Sequence, residues 1–210
     1  MATAVRQPKR SEFEGGDTSV DDNRVIVTGE NQFARLSEKD GDPHSTEASF
    51  WRIIFSPAGP GHALYLKSEL TQDRWSIYSD NIAMARWLQR TVQGMLAEPL
   101  KDLAIPVVDA SFGRTGDARS FWTETITTAS GAIALTLSEF GDPILVHTRP
   151  SAAQPNPRRY GVCTVLVPAL EARLTLNGMH AKGQAWPRDR LGRAYSTSGL
   201  GLSESWTEAR

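Results

Sequence analysis

The sequence predicts a mainly β protein: an antiparallel β-barrel or strongly curved sheet, with one amphipathic helix near residues 81–96 laid against it. Short segments alternating apolar and polar residues recur along the chain, bounded by clusters of Gly, Pro, Asn and Asp. The links between the early segments are too short for a parallel crossover, so neighbours run antiparallel. Helical spacing is convincing only around 81–96, and no 20–50-residue repeat is present. A two-sheet β-sandwich is the rival arrangement.

Residues 1–23 are polar and aperiodic and read as a disordered tail; residues 24–210 read as a single β-rich domain with an internal ligand cavity. RVIVT (24–28) is a short β-branched strand, and residues 37–48 are dense in loop formers. ASFWRIIFS (48–56) is apolar on both faces. The turn PAGPG leads into HALYLKS (62–68), and RWSIYS (74–79) completes a meander. Met84, Trp87, Leu88, Val92 and Met95 then repeat at helical spacing, with Ser79 or Asp80 placed to cap and Pro99 beyond the end. VVDASF (107–112) is a strand and GRTGDA (113–118) a loop.

FWTETITTASGAIALTLSEF (121–140) reads as a hairpin turning at Ala129-Ser130 or Ser130-Gly131. PILVHT (143–148), GVCTVLVP (161–168) and ARLTL (172–176) follow as strands, with Asn177-Gly178 as a hairpin turn. The stretches 148–159 and 186–199 read as long loops. LGLSESW (200–206) places Leu200, Leu202, Glu204 and Trp206 on one face of a last strand. In outline this resembles the calycins and lipocalins, an architectural resemblance only, because no motif carries across.

Composition narrows the function classes. With 23 Lys and Arg against 24 Asp and Glu, the net charge is −1, which argues against nucleic acid as the main partner and against a polybasic membrane anchor. The single cysteine, Cys163, allows no internal disulfide and reads as a small core residue. No run nears the ~18 apolar residues of a membrane span, so a cytoplasmic protein is expected. No phosphate loop, dinucleotide fingerprint or nucleophile elbow is present, and no histidine pair has local metal-binding spacing; no cofactor and no metal are expected.

One position in the hairpin is anomalous. Glu124 alternates with Trp122 and Ile126, and either two-residue turn sets that face against Leu135 and Leu137. The carboxylate therefore points inward, where it needs a partner; a three-residue turn would slip the pairing by one and expose it. Either it meets an arginine such as Arg52 in a structural pair, or it serves as an acid/base in a cavity. Asp109, unusual in mid-strand, is its candidate carboxylate partner, and His147, ending the PILVHT strand, its candidate histidine. His62 opens a strand and reaches toward the same rim. Trp122 and Trp51 are candidate cavity walls, Arg52 a candidate anion contact, and Tyr65 and Tyr78 candidate hydroxyl donors.

These features lead to the expectation of a cofactor-independent enzyme acting by acid/base chemistry on a small, largely apolar or aromatic molecule, of lyase, isomerase, hydratase or hydrolase type. The alternative is a non-catalytic binding or carrier protein for the same class of ligand. A homo-oligomer, its tryptophans filling an interface, is compatible with either.

Overall fold

The structure is a computed structural model that describes residues 23–152, 157–190 and 192–209. The tail expected over 1–23 lies outside these residues but for Asn23, as does part of the 148–159 stretch. The strands are β1 (Arg24–Leu36), β2 (Thr46–Phe55), β3 (Gly61–Ser68), β4 (Ser76–Ser79), β5 (Val107–Asp109), β6 (Ser111–Gly116), β7 (Phe121–Thr128), β8 (Gly131–Phe140), β9 (Ile144–Thr148), β10 (Tyr160–Leu176), β11 (Met179–His180), β12 (Pro187–Arg190), β13 (Arg193–Ser196) and β14 (Ser198–Glu208).

The main sheet runs β5-β4-β3-β2-β1-β14-β10-β8-β7-β6, with β9 and β11 also on β10. Its two edge strands, β5 and β6, are separated only by Ala110. The edges are thus one bent strand, and the sheet closes almost completely into a barrel through the covalent chain. The rival sandwich does not form. The helix runs 15 residues, as α1 (Ile82–Leu88), a π turn at Gln89–Gln93 and a final turn at Gly94–Leu96. It is the crossover that lets β4 and β5 pair in parallel.

Strand alternation divides the apolar residues between two cores. Phe50, Leu64, Ile126, Leu135, Leu137 and Leu200 fill the barrel. Their neighbours Trp51 and Tyr65 point outward, where Met84, Leu88 and Val92 of the helix cover them. This is why β2 and β3 are apolar on both faces: one face lines the barrel and the other receives the helix.

Several boundaries differ from the expected ones. β1 continues to Leu36 through polar residues. β6 continues through Arg114 to Gly116, where a loop was expected. β10 is one 17-residue strand across Pro168, whose carbonyl accepts the Gly141 N–H at 2.9 Å. Part of the expected late loop is the β12–β13 hairpin. The helix cap is Asn81, whose side chain accepts the Met84 N–H at 3.0 Å, rather than Ser79 or Asp80. Cys163 is exposed rather than in the core.

The 121–140 hairpin has the expected register, with Trp122 opposite Leu137, Glu124 opposite Leu135, and Thr128 opposite Gly131. In β14 a bulge intervenes at Ser203, whose φ is +52°. Leu200 and Leu202 therefore face the barrel, while Trp206 joins the outer core.

Candidate functional site

Glu124 is 2 % exposed, inside one end of the barrel. Three donors meet on its Oε1: Arg114 Nε at 2.6 Å, Gln32 Nε2 at 2.8 Å and Trp122 Nε1 at 3.0 Å. Arg114 lies directly opposite Glu124 in the β6–β7 ladder, and its guanidinium sits 4.2 Å from the Trp122 ring centroid. The charge is thus matched, hydrogen-bonded and stacked. Because the Gln32 amide must turn its NH2 toward a carboxylate, its Oε1 faces away, buried and without a donor.

Arg114 also reaches across to β1, where Nη2 donates to Glu30 Oε2 at 2.7 Å. Glu30 lies 3.8 Å from Arg52, its register partner on β2. Arg52 in turn faces His62 on β3. The His62 ring stacks on Phe112 at 5.0 Å and 19°, and Phe112 is two residues before Arg114 on the same face of β6. Arg52 and His62 are ladder neighbours and Phe112 shares a face with Arg114, so these side chains gather at one charged end of the barrel, with Phe50 packed against Phe112.

His62 is fixed at this end by Asp80. Asp80 Oδ1 accepts the His62 backbone N–H at 2.6 Å, and Oδ2 lies 2.6 Å from Nδ1. A carboxylate at Nδ1 holds the proton there, so a neutral ring presents Nε2 as an acceptor. No described group bonds Nε2. The His62 side chain keeps 30 % of its exposure and Arg52 half, so both are accessible to solvent.

The sequence-derived candidates separate. Trp122 and Glu124 are together, and Arg52 joins them through Glu30 and Arg114. Trp51 is on the outer face, its Nε1 donating to Ser49 Oγ at 3.1 Å. Tyr65 is beside it, its hydroxyl donating to the Ala85 carbonyl at 2.6 Å, and burial pushes its phenol pKa upward. Asp109 is exposed on β5 opposite Ser79 and is not among the groups holding Glu124. His147 is exposed on β9 opposite Cys163, in a hollow of about 300 Å³ shared with Leu145 and Tyr195. Tyr78 points into the barrel toward its other end.

Sequence reasoning missed Arg114, Gln32, Glu30 and the role of Asp80. A strand-period continuation past Phe112 would have placed Arg114, and the same continuation along β1 would have placed Glu30 and Gln32 on the inner face.

A second carboxylate, Glu204, is buried on the outer face, with no cation among the described residues beside it. Trp206 Nε1 donates to its Oε1 at 2.7 Å, and desolvation raises its pKa to about 7. A Cβ on Gly201 would collide with Glu204 Oε2, so the side chain occupies space that only glycine leaves. Among the described residues no group of three or more His, Cys, Asp and Glu side chains converges to hold a metal ion, and no helix is long and apolar enough to cross a membrane. Comparison with protein-family models, with curated proteins and with solved structures found no match to this chain.

Proposed function

We propose that the charged end of the barrel is the active site of a cofactor-independent enzyme that moves a proton on a small, largely apolar or aromatic molecule. The observation carrying this reading is the His62–Asp80 pair: a half-open imidazole, oriented through Nδ1 by a carboxylate at 2.6 Å and stacked on Phe112. In this reading His62 Nε2 takes the proton, and Asp80 stabilises the imidazolium that forms. The partly exposed ring of Phe112 supports the apolar part of the substrate, and the buried Phe50 packs behind it. Arg52 stabilises negative charge developing on a substrate oxygen, since its guanidinium is half exposed and only loosely engaged by Glu30. Glu124 is a positioning residue that holds Arg114, and through it Glu30, rather than the acid/base itself. Abstraction next to a carbonyl, as in isomerisation or elimination, is the reaction class this arrangement suits.

The test has two parts. Deuterium uptake into a panel of small aromatic ketones and carboxylic acids, followed by proton NMR, should exceed buffer exchange for at least one compound. His62→Gln should lower that rate roughly 10²–10⁴-fold. The ring nitrogen shifts of His62 supply a check that needs no substrate: a neutral ring protonated on Nε2 rather than Nδ1 would remove the base and sink the proposal.

A further inference from the structure

The opposite end of the barrel holds a cavity that the chemistry above does not use. It has a volume of about 360 Å³, within the range of small-molecule sites. Leu70, Tyr78, Ile133 and Leu176 line it, and Ser76 and Thr128 are among the hydroxyl groups at its edge. Among the described residues no Asp, Glu, Lys, Arg or His side chain contributes to the lining. We infer that this cavity is a second, separate binding site for an uncharged, mostly apolar ring compound carrying a hydrogen-bonding group.

Charge decides the ligand class. An ion entering here sheds part of its hydration and meets no countercharge among the described lining groups. A neutral ring instead gains apolar contact with Leu70, Ile133 and Leu176. The half-buried Tyr78 phenol remains a neutral donor, because desolvation pushes its pKa up against the opposing effect of Ser76. It and the edge hydroxyls match one polar group on the ligand.

The opening is held in shape before any ligand arrives. On one side the short helical turn Glu69–Thr71 ends at Gln72 in left-handed backbone, φ +57°, with its N–H bonded to the Glu69 carbonyl at 3.0 Å. On the other, Asn177 sits at φ +51°, its side chain accepting the Ala132 N–H at 2.9 Å. Both Gln72 and Asn177 line the cavity. Gln72 is the left-handed cap of the helical turn, and Asn177 with Gly178 makes the tight turn between β10 and β11, so turn geometry fixes both lips. A lip fixed in this way reduces the ordering cost of binding.

The neutral dye N-phenyl-1-naphthylamine, titrated into the full chain by fluorescence, tests the inference. Saturable one-to-one binding is expected, changing less than about twofold in ~0.5 M salt or on His62→Gln. The sulfonated relative 8-anilinonaphthalene-1-sulfonate should bind at least about tenfold more weakly. Ile133→Trp fills the cavity and should weaken the dye by about tenfold or more. Should that variant fail to fold, Leu176→Trp, at a half-buried position, serves instead. Backbone amide shifts on dye addition should centre on Leu70, Ile133 and Leu176. Absence of saturable binding, retention of binding by a folded cavity-filled variant, a preference for the sulfonate, or shifts centred elsewhere would each overturn it. Because the dye site and His62 are at opposite ends, either proposal can fail without the other.

Discussion

The two ends of this barrel are made from different chemistry. At one, interior-facing positions along β1, β2, β3, β6 and β7 carry Glu30, Arg52, His62, Arg114 and Glu124; the two guanidiniums and two carboxylates form one ion-paired chain that solvent partly reaches. At the other, the comparable space is left open, lined by aliphatic side chains and hydroxyls and framed by turns. The difference lies in how each end meets the cost of polar atoms in an apolar tube. The charged end neutralises each carboxylate with a guanidinium. The neutral end brings no ionised group inside, so it leaves a space that an uncharged guest can fill. A strand supplies the first solution, because residues two apart share a face; turns supply the second.

The sharpest way to break this comparison is to remove the central cation. Arg114→Met leaves the buried Glu124 without a countercharge and should cost about 3 kcal/mol, read from urea unfolding. Adding Glu124→Gln should recover at least half of that loss, since the unpaired charge is then gone. A loss below about 1 kcal/mol would mean the Arg114–Glu124 pair behaves as a surface ion pair.

Glu204 sharpens the comparison from outside both ends, being a buried carboxylate with no cation among the described residues beside it. Desolvation pushes its pKa up from the ordinary glutamate value of 4.5 to about 7 in the folded protein. Between these values the folded state holds more protons than the unfolded state, so stability is full below about pH 4.5 and falls as pH rises through 7. The loss should reach about 3 kcal/mol by pH 8. Thermal melts at pH 5 and 8 check it: Glu204→Gln, which can still accept from Trp206, should remove this part of the pH dependence. An unchanged pH profile in the variant would show that Glu204 does not carry it.

The smallest expected effect belongs to the neutral end. Gly131 has φ +148°, and a Cβ there would collide with the Asn177 side chain that helps frame the cavity. Gly131→Ala should cost about 2 kcal/mol in a denaturant melt and weaken dye binding, while leaving the His62 ring shifts unmoved. Shifts at His62 would show that the two ends are coupled.

Part of this was legible in the sequence. The 121–140 hairpin was legible from strict alternation on both arms, and the two-residue turn at Ala129-Ser130 then sets the register and the inward direction of Glu124. The barrel outline and the helix were legible for the same reason of period. Arg114 was not, because Gly113, Gly116 and Asp117 signal a loop locally while the ladder with β7 holds the segment extended. Glu30 and Gln32 escaped because polar residues in mid-strand look like a strand's end unless their partners across the barrel are known. Asp80 looked like a helix cap, but Asn81 takes that role and frees Asp80 for His62. The bulge at Ser203 reversed the direction of Glu204 and Trp206, and nothing in LGLSESW signals it.

The pairing of β1 with β14 has a consequence for how the molecule is made. Arg24 and Glu208, ion-paired across that seam, are 184 positions apart. A growing chain therefore presents β1 with one edge unsatisfied until the segment through Glu208 has been synthesised. During that interval the long strand Arg24–Leu36 is open to pairing with another nascent copy. Its inner-face Glu30 and Gln32, which serve the charged end once the barrel closes, meanwhile break up what would otherwise be an apolar row on that exposed strand. The residues that organise one end of the finished barrel thus also lessen the risk of aggregation while it is still being assembled.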